Sequence, residues 1–289
     1  MTRIIVDSTC DLPDELMESY GISMLPLTVS IDGKEYFDKV DIKVDEVYES
    51  MRKGICPKTS QPNPSNAYSL FQECISKGED FIFLSFSSKL SGTYQTICSI
   101  VEELKEKYNN IKMEVIDTKS GSLATGLIAL QASKLVKAGK SFENVIDAVK
   151  NMILHIEHVF TITDLSWLIK GGRISKTEGI IGNMLSIKPI LHVNDGVMEV
   201  IQKVRGKKKA LKELLDIVEE RMSKFPDQII GISHADDIDT AKELQAMLQS
   251  RMGEAKVIVS KIGSVLGSHL GIGGVGVFFF NDKIESYID

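Results

Sequence analysis

Residues 81–108 read FIFLSFSSKLSGTYQTICSIVEELKEKY, and this stretch decides the fold. The run from Phe81 to Phe86 is apolar apart from one serine and has the length of a buried strand. From Tyr94 to Tyr108 the apolar residues recur at helical spacing. The sequence therefore predicts a buried strand, a hydroxyl-rich loop and an amphipathic helix in succession.

The first half of the chain repeats this alternation of strands and helices. The predicted elements are strands at residues 4–6, 24–29 and 113–116, a hairpin turn at Asp32-Gly33, and helices that open at Pro13 and span residues 122–137. Such an alternation predicts a parallel sheet covered by helices, an α/β/α arrangement.

The second half shows a different pattern, in which a hairpin and isolated strands are mixed with helices. The predicted elements are a hairpin of residues 185–193 and 197–204 around Asn194-Asp195-Gly196, helices at 211–222 and 237–250, and strands at 228–233, 257–260 and 275–280. We expect a two-layer α/β domain with a mixed sheet and helices on one face. The boundary is placed at residue 158, giving domains 1–158 and 159–289.

Composition excludes several classes of protein. The 289 residues are 43% hydrophobic and 26% charged, which are ordinary globular values and argue against disorder. With 34 basic and 40 acidic residues the net charge is −6, whereas a general nucleic-acid binder needs a basic excess. The four cysteines form no C-x-x-C pair, which favours a reducing cytoplasm over a disulfide scaffold.

Targeting and membrane segments are also not predicted. The N-terminal apolar run, residues 4–6, is too short for the core of a signal peptide. The most apolar late stretch, residues 271–280, is much shorter than the roughly 20 residues that cross a bilayer. A cytoplasmic protein without an integral membrane segment is expected.

Two hydroxyl-rich loops are candidate ligand sites. In residues 85–94, Ser91 stands where the N-cap of the following helix is expected, and a helix start suits an anion. In residues 58–64, two prolines stiffen a loop that presents Thr59 and Ser60, and Asn63-Pro64 is typical of a helix cap followed by the first helical residue. Either loop could instead serve only to begin its own helix.

Two further loops of the same sort follow predicted strands. They are Asp7-Ser8-Thr9 and residues 117–120. In open α/β sheets ligands bind at the carboxyl ends of the strands. Converging hydroxyls from these loops would form the polar end of a pocket.

Several motif-like patterns do not carry a function. Residues 271–276 match G-x-G-x-x-G, but a strand pattern follows instead of a helix, so a dinucleotide site is rejected. The glycines are expected to permit close backbone approach.

His269 could donate a hydrogen bond to a carboxylate or be structural. His155 and His158, expected on a helix or at its end, lack a third ligand, so no metal is predicted.

Two cationic segments remain. In the turn at residues 170–175, Arg173 is either a surface charge or a group that orients an acid or a neighbouring loop, and a helix is expected to open near Ser175. The run at residues 203–209 carries five positive charges at a helix start, where cations are unfavourable. It is a solvated charge run or a docking surface for an acidic partner.

Taken together, these segments resemble the DegV family of bacterial fatty-acid-binding proteins. The resemblance rests on an ordered set of motifs that covers nearly the whole chain. The matching pieces are Asp7-Ser8-Thr9 with Asp11-Leu12, Lys58-Thr59-Ser60-Gln61-Pro62, Ser87-Ser88-x-Leu90-Ser91-Gly92-Thr93-Tyr94-Gln95, Asp117-Thr118-Lys119-Ser120, Lys170-Gly171-Gly172-Arg173-Ile174-Ser175, Ile187-Lys188-Pro189-Ile190 and Ser268-His269-x-Gly271.

The resemblance implies that a long-chain fatty acid such as palmitate lies buried between the two domains. It implies that Thr59 and Ser91 hold the carboxylate, with His269 close to the same head group. The supporting candidates are Ser60, Gly92, Thr93 and Arg173. It further implies a carrier with no cofactor and no catalysis of its own, which presents the acid to a separate ATP-dependent fatty acid kinase for acyl-phosphate formation and phospholipid synthesis. The position of Arg205 is implicated in docking to that kinase.

Two positions depart from the family pattern. Leu270-Gly271-Ile272-Gly273 follows His269 where the family commonly has T-G-P-G, and Gly206 follows Arg205 where Thr is frequent.

Two other functions stay open on the sequence alone. One is a Ser/His acyl hydrolase that uses Ser91 and His269, although no G-x-S-x-G elbow is present. The other is a kinase subunit for small hydroxylated substrates, because dihydroxyacetone kinases resemble this fold, although no ATP-binding motif is seen.

Overall fold

A computed structural model of the chain describes residues 2–174, 187–253 and 255–289. The strands are β1 (Thr2–Asp7), β2 (Ile22–Leu25), β3 (Thr28–Ile31), β4 (Lys34–Phe37), β5 (Lys58–Ser60), β6 (Asp80–Ser85), β7 (Met113–Asp117), β8 (Ile156–Thr161), β9 (Ile187–Asn194), β10 (Val197–Arg205), β11 (Ile229–His234), β12 (Lys256–Lys261) and β13 (Val275–Phe280). The helices are α1 (Asp14–Tyr20), α2 (Val44–Arg52), α3 (Pro64–Ser76), α4 (Thr93–Lys107), α5 (Ser122–Lys137), α6 (Phe142–His155), α7 (Ser166–Lys170), α8 (Lys207–Arg221), α9 (Ile238–Met252) and α10 (Ser264–Leu270).

The predicted parallel sheet is confirmed, with strand order β2-β1-β6-β7. Successive residues of its strands point to opposite faces, and both faces are buried. Val6 packs in the cluster that contains α5, whereas Ile5 packs in the cluster that contains residues of α3 and α4. The continuous apolar runs of the sequence follow from this covering on both sides.

The mixed sheet of the second half is also confirmed, with strand order β10-β9-β8-β13-β11-β12. Adjacent strands of this sheet are antiparallel, except that β11 and β12 pair in parallel. Asp195 and Gly196 both have positive φ, as a tight hairpin between β9 and β10 requires. Helices α8 and α9 pack against one face of this sheet through a common apolar cluster.

The helix α5 lies between the two sheets. It contacts β1 of the parallel sheet and β11, β13 and β8 of the mixed sheet. All its residues from Ser122 to Leu135 are buried. This burial explains why the sequence of residues 122–137 is strongly apolar, because a helix covered on all sides has no solvent-facing stripe.

A small antiparallel sheet of order β4-β3-β5 was not predicted. The extended run 24–29 is in fact two strands, β2 and β3, because Pro26 between them has no N–H to donate. The loop predicted around Thr59 is the strand β5, in which Thr59 pairs with Val29. The hairpin at Asp32-Gly33 and the helix start at Asn63-Pro64 are as predicted.

Two local predictions are wrong, and two others are not tested. His158 lies in β8 and not on a helix or at its end. The N-cap of α4 is Gly92, and Ser91 precedes it. The helix expected near Ser175 lies outside the described residues. Residue 158, the predicted domain boundary, falls inside β8, and the division into 1–158 and 159–289 stays a prediction.

The glycines after α10 allow the close approach that the sequence analysis expected. Gly271 has φ 74°, and a Cβ there would lie 2.5 Å from Cδ1 of Trp167. Gly54 has φ 85° with nothing within 4 Å of the same position.

We expect Gly271→Ala to lower the free energy of unfolding more than Gly54→Ala does, by about 1–3 kcal/mol. Both substitutions strain a left-handed backbone, but only the first also crowds an indole ring. Urea unfolding of the two variants measures the difference. Equal losses would show that Trp167 moves aside without cost.

Candidate ligand-binding cavity

A cavity of about 340 Å³ lies between the inner face of the mixed sheet and the loops that follow β6 and β7. This is within the usual range for small-molecule sites. Most of its wall is apolar. The apolar lining residues are Leu27, Phe86, Leu90, Phe160, Ile162, Val193, Met198, Ile262, Val265, Leu266, Leu270, Val275 and Phe278.

Thr59 and His269 meet at the wall of this cavity, although 210 residues separate them in the sequence. Thr59 Oγ1 and His269 Nε2 share a hydrogen bond of 2.8 Å. Thr59 is held by the pairing of β5 with β3, and His269 lies in the last turn of α10. Burial, and to a smaller extent the charge of Arg173, lowers the pKa of His269 to about 4, so its imidazole is neutral at pH 7.

Ser91 lies on the same wall and is held in place by the start of α4. Its Oγ accepts a hydrogen bond of 3.2 Å from the backbone N–H of Thr93 and lies 2.9 Å from Thr93 Oγ1. Thr93 is fully buried and is not part of the cavity wall, so its contribution is to orient Ser91. Ser60 and Gly92 do line the cavity.

Arg173 is a wall residue and not a freely solvated surface charge. Its Nε donates to the carbonyl of Leu90 at 3.2 Å and its Nη1 to the carbonyl of Gly171 at 2.6 Å. A Cβ at Gly171 would clash with Nδ1 of His269, so the turn that carries Arg173 packs closely against α10. Thr59, Ser91, His269 and Arg173 therefore bring two hydroxyls, a neutral imidazole and a cation to the wall, a set that suits a carboxylate.

The hydroxyls expected to converge from the other loops do so only in part. In the first loop, Asp7 accepts from the backbone N–H of Phe86 at 2.7 Å, and Ser8 Oγ accepts from that of Leu27 at 3.1 Å. These side chains hold neighbouring loops together and do not line the cavity. From the second loop Ser120 reaches the wall, while Asp117 bonds to Ser88.

Sequence reasoning missed the contribution of the mixed sheet to this cavity. His158, Phe160 and Ile162 alternate along β8 and its end, and all three line the wall. The alternation of side chains along a strand was the signal that could have grouped these three residues on one face. Nothing in the sequence, however, showed which face of β8 would meet a cavity.

The hydrogen bond of His269 goes to Thr59, and none to Ser91 is present. Within residues 2–174, 187–253 and 255–289, no carboxylate is hydrogen-bonded to the His269 ring, and no group of His, Cys, Asp or Glu could hold a metal.

Arg205 lies away from the cavity. It is the last residue of β10 and is exposed, and Gly206 then begins α8 with φ 87°. Lys207 to Lys209 occupy the first turn of that helix, as predicted. In the described part of the chain, no helix has both the length and the apolar character that a bilayer crossing needs.

Comparison with known proteins decides the family. The family model described as "Uncharacterised protein, DegV family" matches residues 1–282. The chain belongs to the DegV family. A DegV domain-containing protein of Clostridium perfringens is 38% identical over 285 residues, which cover 98% of each chain. One from Clostridium acetobutylicum is 38% identical and covers 99% of each chain.

Solved DegV structures share the fold of this chain. A fatty-acid-binding DegV protein from Thermus thermophilus superposes with a TM-score of 0.88 at 29% identity, covering 96% of this chain and 99% of that one. A stearic-acid-binding protein from Eubacterium ventriosum gives a TM-score of 0.89 at 26% identity, with coverage of 96% and 97%. The DegV fatty-acid-binding protein of Bacillus subtilis gives 0.86 at 30% identity, with coverage of 96% and 99%.

The burial of His158 in the wall makes stability depend on pH. Burial, with a smaller effect of His192, lowers the pKa of His158 to about 3. Below pH 6.5 the unfolded chain takes up a proton at this position and the folded chain does not, so acid favours unfolding. Asp11, whose pKa burial raises to about 6, acts in the opposite direction.

Between pH 7 and pH 5 we expect the free energy of unfolding to fall by about 2 kcal/mol less in His158→Phe than in the wild type. Because Asp11 is present in both proteins, its contribution cancels in the difference. Urea unfolding at the two pH values measures it. Parallel losses would show that His158 is protonated in the folded state.

Proposed function

We propose that this chain binds a long-chain fatty acid, such as palmitate, in the cavity, with its carboxylate against Thr59 and Ser91 and close to His269. The observation that carries the proposal is one cavity whose wall is polar around Thr59, His269, Ser91 and Arg173 and apolar along the mixed sheet. The fatty-acid-binding relatives of known structure support it.

The two parts of the wall contribute differently to binding. Burial of the acyl chain against the mixed sheet contributes about 0.8 kcal/mol per CH₂, before the costs of association are subtracted. The polar groups replace the water that the carboxylate gives up, because a buried charge without donors is strongly destabilised. They therefore fix the orientation of the acid more than its affinity.

The lining of the cavity also argues against the two alternatives, an acyl hydrolase and a kinase subunit. A hydrolase would need Ser91 hydrogen-bonded to a base, and His269 bonds to Thr59 instead. A subunit for small hydroxylated substrates would need a polar cavity, whereas this one is mainly apolar. We therefore propose a carrier that has no catalytic activity by itself.

We further propose that the bound acid is presented to a separate ATP-dependent fatty acid kinase for phospholipid synthesis. A carboxylate oxygen would attack the γ-phosphorus of ATP, and ADP would leave to give an acyl phosphate. Hydroxyl donors suit this step because they leave the carboxylate nucleophilic. The Arg173 guanidinium uses two of its five N–H groups, on Nε and Nη1, to donate to the carbonyls of Leu90 and Gly171.

We expect Thr59→Ala and Ser91→Ala each to weaken fatty-acid binding by about 1–3 kcal/mol, because a buried charge loses a donor. Titration of delipidated protein with palmitate measures the change. Ser99→Ala is the control, since Ser99 is exposed on α4 and bonds only to the carbonyl of Gln95. Unchanged affinity in both variants, or Ser91-dependent hydrolysis of an acyl ester, would contradict the assignment.

Arg205→Ala should keep its affinity for fatty acid but slow acyl-phosphate formation by the kinase. Arg205 is exposed and outside the cavity wall, so its loss is expected to affect docking alone. The effect should shrink at high salt, because exposed charges are screened beyond about 8 Å at physiological ionic strength. Lys242→Ala, an exposed cation on α9, is the control. Loss of lipid binding in Arg205→Ala would place the residue in the site instead.

A further inference from the structure

Two polar side chains in the cavity wall are buried without a hydrogen-bond partner. His158 is 4% exposed, and among the described residues neither of its ring nitrogens is bonded. Ser120 is 2% exposed, and its Oγ likewise lacks a partner there. Both residues line the cavity. Buried polar groups in folded proteins are nearly always satisfied, so this pair needs an explanation.

The other polar groups of the wall differ from these two. Thr161 Oγ1 donates to the carbonyl of Pro189 at 2.7 Å, and Ser122 Oγ bonds to Asp11 and Ser233. Thr59 and Ser91 also have partners within the protein. Among the described residues, the ring nitrogens of His158 and the hydroxyl of Ser120 therefore have no protein partner for a hydrogen bond.

His158 lies on β8, a strand that carries none of the residues proposed to bind the carboxylate. The strand β8 ends at Thr161 and leads into the segment that carries Arg173. His158 precedes Thr161 by three residues, which is about 10 Å along a strand. Its ring stands edge-to-face with that of Phe278, at a centroid distance of 5.7 Å. It thus adjoins the apolar part of the wall.

We propose that the cavity accepts a fatty acid whose chain carries a hydroxyl group, with that hydroxyl hydrogen-bonded to His158 and Ser120. This inference rests on the proposed fatty-acid function and names its ligand class. A hydroxyl both donates and accepts, as do a neutral imidazole and a serine. A second carboxylate would fit less well, because the cation of the wall, Arg173, belongs to the segment beyond the far end of β8.

The chemistry of the wall gives the hydroxyl a large effect on selectivity. An apolar cavity rejects a hydroxyl that finds no partner, because the group loses its hydrogen bonds to water. A partner reverses the preference, and the unsatisfied imidazole gains as well. Replacing His158 by phenylalanine should therefore weaken the binding of the hydroxylated acid relative to that of the plain acid.

Competition between two acids of equal length tests the proposal. Delipidated protein is incubated with equal amounts of octadecanoic acid and either 10- or 12-hydroxyoctadecanoic acid, and the retained lipids are measured by mass spectrometry. We expect the wild type to enrich one of the hydroxylated acids. The ratio of hydroxylated to plain acid should fall about tenfold in His158→Phe and about threefold in Ser120→Ala.

The controls separate this proposal from the function on which it rests. The ratio refers only to retained lipid, so a reduced yield of folded variant does not alter it, and His158→Leu provides a second apolar replacement. His155→Phe should keep the wild-type ratio, because His155 bonds to Asn281 outside the cavity. Equal ratios in wild type and His158→Phe, as expected if a water molecule satisfies the imidazole, would overturn the proposal. Retention of octadecanoic acid alone by the wild type would also overturn it. Failure to retain any acid would overturn the fatty-acid function itself.

Discussion

The burial of α5 on both sides is the constraint on which the rest of the structure depends. A helix without a solvent face must be covered twice, and here one sheet of each half of the chain covers it. Its first residue, Ser122, donates to Asp11 Oδ2 at 2.6 Å and lies 2.9 Å from Ser233 Oγ. Asp11 Oδ1 in turn accepts from the backbone N–H of Gly263 at 2.8 Å. This buried set of hydrogen bonds joins the two halves beside the cavity, whose wall includes Ser122.

The polar wall of the cavity follows from the same arrangement. Thr59 comes from a strand of the first half and His269 from a helix of the second, so their hydrogen bond exists only because the halves are packed together. Arg173 is held by the carbonyls of Leu90 and Gly171, one from each half. The groups suited to a carboxylate are thus fixed by contacts between segments, and not by any single motif.

Local patterns in the sequence predicted most of the helices and strands. The apolar runs, the Asp-Gly turns and the Asn63-Pro64 helix start predicted elements that the structure contains. The strand at Thr59 was missed because three residues beside prolines show no periodicity. The position of His158 was also missed, since its burial depends on pairing with β13 and not on its neighbours in sequence. Local patterns singled out the loops of Thr59 and Ser91 and the residue His269, but only the family resemblance assigned them to one head group.

The covering of α5 by two sheets has a consequence for the synthesis of the protein on the ribosome. A ribosome makes this helix well before β11 and β13, so the parallel sheet can cover one side while the other side stays uncovered. During that interval the nascent chain displays a broad apolar helix surface, which chaperones recognise and which favours aggregation. The cavity itself cannot form until β13, near the end of the chain, has emerged and paired. A fragment that lacks β13 would therefore expose this helix surface and lack the cavity.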